Sequence, residues 1–170
     1  MTHEEFLLLV KGMKAVYTYD NFLADGYSIE MWYALLKDLP YNLAAASLKS
    51  FMQTSNKVPT PADIRNGVAS LSQPEALNEM QAWSMVSKAI GRSGYHSQEE
   101  YDKLPEVIQR AVGTPRQLFV WSQTEDGVET VVQSQFIRSY RRELERKQYR
   151  QSLSPDILSL IETTAKRLEG

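Results

Sequence analysis

Six cations stand close together near the C-terminal end of the chain: Arg138, Arg141, Arg142, Arg146, Lys147 and Arg150, against only Glu143 and Glu145 between them. A guanidinium presents a planar fork of donors that fits carboxylate or phosphate oxygens in pairs. The chemistry such a cluster offers is therefore recognition, of an acidic protein surface or of a nucleic-acid backbone. The plainer reading is a solvated helix face held by Arg141–Glu145 and Glu143–Lys147 pairs at i, i+4, each weak. Three or four of the cations have no helical partner even then. Other patterns for chemistry fail on spacing. The eight glycines, Gly91-Arg92-Ser93-Gly94 included, never approach the G-x-x-x-x-G-K-[ST] run that wraps phosphates. His96 has Glu99 and Glu100 nearby, but the only other histidine is His3 and there is no cysteine, so three or four convergent metal ligands are not in prospect. Glu145-Arg146-Lys147 has the E-x-K spacing of some nucleases, yet residues two apart on a helix point roughly 200° from each other. The serines lack a glycine elbow and a histidine base. The expectation is a chain with no catalytic, metal or cofactor site, acting by binding.

The elements that position these residues read as helices throughout. Thr2 and Glu5 have capping-box spacing ahead of an apolar row of Phe6, Leu9, Val10, Met13 and Tyr17. After a loop at Tyr19-Asp20-Asn21, Ser28 is placed to cap a second helix with Ile29, Trp32, Tyr33, Leu36 and Leu39 on one face before Pro40. A third carries Ala44, Leu48, Phe51 and Met52. Thr60-Pro61-Ala62-Asp63 supplies cap, first-turn proline and first-turn acid for a short fourth with Ile64, Val68 and Leu71. A fifth is expected to begin near Glu75, bury Ala76, Met80, Trp83, Val86 and Ile90, and end at Gly91 and Gly94. Between Tyr95 and Glu125, Pro105, Gly113 and Pro115 break the pattern into two or three small helices around Val107, Ile108, Leu118, Phe119 and Trp121. The three tryptophans read as core residues rather than stacking platforms. Asp126-Gly127 fits a turn, and Val128 to Val132 is the one stretch resembling a strand.

The long helix from about Glu129 to Gln151 sets Val132, Phe136, Tyr140 and Leu144 in one i, i+4 row and Arg138, Arg142, Arg146 and Arg150 in another. The rows are roughly 200° apart, so core and arginines face opposite ways. Beyond Leu144 the apolar row stops, and the helix is expected to project into solvent. A last amphipathic helix, 154–168, carries Ile157, Leu158, Ile161, Ala165 and Leu168. This stripe either docks back on the protein's own core, the more usual outcome, or enters a groove on a partner.

The whole is expected to be all-α: a four-helix N-terminal bundle at 1–72, closed by the polar linker Ser70 to Pro74, a second helical region at 73–127, and a partner-binding segment at 128–170. Nineteen basic and twenty-one acidic residues nearly cancel, which removes any global attraction to nucleic acid or lipid. The apolar run Phe6 to Val10 lacks the length and positive flank of a signal peptide, and no stretch approaches a membrane span. Freedom from cysteine suits a reducing compartment.

Trp32-Tyr33-Ala34-Leu35-Leu36-Lys37-Asp38-Leu39-Pro40-Tyr41, with Phe51 to Ser55 and Val58-Pro59-Thr60-Pro61-Ala62-Asp63-Ile64, resembles the phage replicative-helicase loader-and-inhibitor family. Ala82-Trp83 to Gly94-Tyr95, Leu104-Pro105 to Gly113, Gln135-Phe136 and Tyr140 are similar to the second half of longer relatives from phages of Gram-positive bacteria. The resemblance implies a helical N-terminal domain, a C-terminal part that grips the hexameric replicative helicase, and help from a phage origin-binding protein in releasing it onto DNA, in the cytoplasm of the bacterial host. It implies no ATPase activity and no cofactor. Short members of the family have a poorly ordered C-terminal part, whereas this chain keeps helical periodicity nearly to its end. The competing expectation is a DNA-binding replication or regulatory protein that uses the basic helix.

Overall fold

The computed structural model describes residues 1–19, 21–72, 77–123 and 129–168. Asp20, the linker residues Gln73 and Pro74, the expected start at Glu75, the expected core residue Ala76, the Asp126-Gly127 turn and Val128 lie outside the described residues. Among those described the chain is all-α, with nine helices: α1 (His3–Val16), α2 (Gly26–Leu36), α3 (Tyr41–Thr54), α4 (Pro61–Leu71), α5 (Glu79–Asp102), α6 (Glu106–Val112), α7 (Pro115–Ser122), α8 (Glu129–Ser152) and α9 (Pro155–Leu168). They form two compact units, Met1–Gln73 with Gln148–Gly170, and Pro74–Lys147. The segment 128–170 is divided between them within α8.

In the first unit, local chemistry sets the helix starts. Thr2 Oγ1 accepts the Glu5 amide at 3.2 Å while Glu5 returns a carboxylate to the Thr2 amide at 2.8 Å, so two orphan donors of α1 are satisfied together. Thr60 and Asp63 form the same box at α4, with Pro61 in the first turn. Ser28 does not cap α2. Asp25 does, in extended conformation, accepting the Ser28 amide at 2.7 Å. A carboxylate three residues upstream takes this role because its charge also meets the positive end of the helix. Phe6, Leu9, Val10, Met13, Leu36, Leu39, Ala44, Leu48, Ile64 and Val68 make the core. Trp32 is half-buried at its edge, its ring 5.9 Å from Phe22, rather than in the centre as its spacing suggested. Leu71 is exposed. α3 and α4 approach closely because residue 67 is glycine: a Cβ there would lie 2.1 Å from Ser47 Oγ. The buried Ser47 hydroxyl donates to the Ile64 carbonyl at 2.8 Å.

In the second unit, Asn78 and Gln81 form the capping box of α5. The helix does not stop at Gly91 or Gly94. Ala82, Trp83, Val86, Ala89 and Ser93 continue one buried face past the first glycine and up to the second, and that burial outweighs the propensity cost of two glycines. The break comes at His96, with φ −127° and ψ 33°. Met80 and Phe119 are exposed and Trp121 is half-buried, against expectation; only Trp83 of the three tryptophans is core. Gly113, at φ 94°, ends α6 where the expected break was read. Residues 129–132 are helical, not extended, because Val132 belongs to the buried row with Phe136 and Tyr140. Phe136 packs between Trp83 and Tyr140 at ring distances of 5.8 and 5.7 Å. The Tyr140 hydroxyl donates to the Leu77 carbonyl at 2.8 Å.

Candidate partner-binding surface

All six cations of the basic cluster are exposed. In the second unit, Arg138 donates to Ser134 of its own helix and Arg141 makes a two-pronged contact with Glu79 of α5. Hydrogen bonding and then charge from Arg141, against an opposing effect of burial, hold the Glu79 carboxyl below its ordinary value. Arg146 pairs with Glu143 at 2.7 Å. The expected Arg141–Glu145 and Glu143–Lys147 bridges thus give way to other partners. A tertiary carboxylate already fixed on α5 costs less side-chain entropy to engage than a mobile helical neighbour. Among the described residues, Arg142 and Lys147 have no carboxylate partner. In the first unit, Arg150 lies 3.5 Å from Glu162 of α9.

Residues 145–151 of α8 are exposed, as the end of the apolar row implies, but the end of the helix is tied down rather than free. Gln148 donates to Ser70 Oγ at 3.2 Å, and Arg65 of α4 donates from Nε to the Ser152 carbonyl at 2.5 Å. The same guanidinium grips Asp38 with two bonds, at 2.7 and 2.8 Å, and the Leu35 carbonyl at 2.7 Å. Burial alone would raise the Asp38 carboxyl, but the hydrogen bond and charge of Arg65 outweigh it and hold the group below its usual range. A cation at the last carbonyls of α8 also complements the negative end of that helix. Sequence reasoning missed this junction. The available signal was that Arg65 has no acid at i±4, where Pro61 and Ala69 stand.

Beside the junction lies an open, mainly apolar cleft of about 290 Å³ lined by Leu35, Ala62, Arg65, Tyr149, Leu153 and Ile157, among others. A second, of about 220 Å³, is lined by Gln117, Trp121, Gln135, Phe136 and Ser139 among others. No histidine lines either cleft, so their serines have no imidazole beside them. His96 is exposed, with Glu99 at 3.6 Å as its one acidic neighbour among the described ion pairs. Among the described residues no three His, Asp or Glu side chains converge as a metal site, and no helix is long and apolar enough to cross a membrane.

The apolar stripe of α9 is the largest departure from the usual outcome. No residue of this helix is buried. Ile157 is 45% exposed, Ile161 44% and Leu168 84%, with Leu158 half-buried. Only the first turn touches the cleft, through Ile157. Docking on the protein's own core, expected on general grounds, does not occur. Leu160, 67% exposed and not foreseen, widens the apolar surface.

Residues 1–65 match the family model for the N-terminal domain of a phage helicase loader/inhibitor. The resemblance read from the sequence is thereby borne out over α1 to the start of α4. No curated protein and no solved structure matches the chain.

Proposed function

We propose that this protein is a non-enzymatic phage replication adaptor that binds the hexameric replicative helicase of the bacterial host, holds it inactive, and delivers it to an origin complex with the help of a phage origin-binding protein. The observation that carries this reading is the pairing of a loader-type N-terminal domain with a helix, α9, whose apolar face the chain leaves unburied. The mechanism is differential binding: a ligand shifts the helicase between states only by its difference in affinity for them. Ile157, Leu158, Ile161 and Leu168 enter a groove on the helicase as anchors at helical spacing. Arg138, Arg142, Arg146, Lys147 and Arg150 meet acidic side chains, and Arg141, already engaged by Glu79, contributes less. Such work proceeds in the host cytoplasm and needs no cofactor.

Co-purification of the replicative helicase with the full chain, and with a variant ending at Ser154, tests this. Retention by the full chain and loss by the variant is the expected result. Equal retention removes α9 from the interface, and no retention by either refutes the proposal. A second reading draws on Arg142 and Lys147, which have no carboxylate partner among the described residues: a basic helix that binds duplex DNA. About four phosphate contacts give a log-log salt slope of roughly −3 to −4. Under the helicase reading, Arg142→Glu with Lys147→Glu weakens helicase association, whereas loss of DNA affinity with helicase association intact favours the second reading.

A further inference from the structure

α9 carries Ile157, Leu158, Ile161, Ala165 and Leu168 on one face and buries none of them. At about 100° per residue, Glu162 and Lys166 fall on one flank of this stripe, about 100° and 140° round from Ile161. Arg167 and Asp156 fall on the other, about 120° and 140° round. We infer that, in the free protein, this stripe is covered by the α9 of a second copy of the chain, running antiparallel.

Charge selects this occupant. The acids Asp156 and Glu162 precede the bases Lys166 and Arg167 along the helix. A parallel copy sets like charges side by side, while an antiparallel copy sets unlike ones together. A two-fold axis also places each flank against the same flank of the copy. Each flank holds one acid and one base, so Glu162 meets the partner's Lys166 and Asp156 meets the partner's Arg167. The apolar residues choose the same register. Pairing about residue 163 sets Leu158 against the partner's Leu168 and Ile161 against the partner's Ala165. In that register Glu162 and the partner's Lys166 are offset by about 3 Å along the helix axis, and Asp156 and the partner's Arg167 by about 4.5 Å, which long side chains span. Glu162 already faces Arg150, but at 3.5 Å with both side chains more than half exposed, a contact weak enough to share or exchange.

The pair is weak and reversible. A helix of fourteen residues is about 21 Å long and offers well under the ~800 Å² per partner of a standard stable interface. This inference goes beyond the helicase reading, since it concerns the protein alone, and it makes the second copy and the helicase competitors for one stripe.

The chain has no cysteine, so single cysteines report the register without background. Thr164→Cys in the full-length protein sits beside the two-fold axis and loses only a hydroxyl bond to the Leu160 carbonyl. It is expected to cross-link to itself on mild oxidation. Leu168→Cys alone is expected not to, but to cross-link with Leu158→Cys when the two proteins are mixed. Self-linking by Leu168→Cys as well as Thr164→Cys indicates parallel pairing and overturns the inference. Sedimentation of the wild type is expected to move from the mass of one chain toward two as concentration rises through the micromolar range. Lys166→Glu with Arg167→Glu, verified as folded by circular dichroism, is expected to move the midpoint at least about tenfold higher, a factor worth one charge-pair interaction. A single mass throughout, or an unmoved midpoint, overturns the pairing and leaves helicase binding to stand or fall by its own assay.

Discussion

Arg65 and Asp38 offer the sharpest quantitative test of how the first unit is held together. The guanidinium makes four hydrogen bonds, two to Asp38 and one each to the Leu35 and Ser152 carbonyls, with the two side chains 11% and 20% exposed. A fully buried pair costs about 3–5 kcal/mol to break and an exposed one about 0–1. This pair lies between, because each side chain keeps an edge in water. Arg65→Met keeps much of the stem and is expected to lose about 2–3 kcal/mol, given that bonds to charged groups are worth about 1.5–3 kcal/mol and do not add. Asp38→Asn removes the charge alone and is expected to lose about 1–2 kcal/mol. In a double-mutant cycle by urea unfolding the coupling should be about 1–2 kcal/mol. The part of the Arg65 effect that Asp38 does not share belongs to the two carbonyls, and should appear as faster amide exchange at the end of α8. A coupling below about 0.5 kcal/mol would place the pair with exposed ion pairs and refute the reasoning.

Acid should dissolve the same junction. The Asp38 carboxyl is held below its unfolded value of about 3.9, so its contribution is fully present above that pH and disappears as pH falls through the lower folded value. The stability difference between wild type and Asp38→Asn, followed from neutral to strongly acid pH, should be flat at first and then shrink. Gly67→Ala should destabilise by about 1–3 kcal/mol although alanine favours helix by about 1, because the new methyl meets Ser47 at 2.1 Å; a more stable variant in thermal unfolding contradicts the packing. Phe136→Ala, fully buried, should cost about 3–5 kcal/mol and half-buried Trp32→Ala about half as much, with denaturant midpoints giving the order. A chain ending at Ser154 should unfold within about 1 kcal/mol of the full protein, since α9 buries no residue, and a larger loss by calorimetry would show that the helix docks.

What the sequence determined by itself was whatever depends on neighbours within a turn or two. The Thr2–Glu5 and Thr60–Asp63 boxes, the proline at the start of α4, the Gly113 stop and the buried row of Val132, Phe136 and Tyr140 are all local patterns, because a cap or an i, i+4 row is complete within a few residues. The family likeness of residues 1–65 is legible for the same reason, being carried by contiguous motifs. Tertiary structure decided the rest. α5 runs through Gly91 and Gly94 because its buried face continues, which propensity does not register. Arg141 chooses Glu79, 62 residues away, over Glu145 one turn on, because only folding brings that carboxylate into place. Arg65 reaches across 87 residues to Ser152 and so holds the end of α8 that the fading apolar row had assigned to solvent. An apolar stripe tells how a helix can be covered, but not whether its own chain has a free surface to cover it. The stripe of α9 is visible in the sequence, while its exposure follows from a first-unit core already closed by α1 to α4.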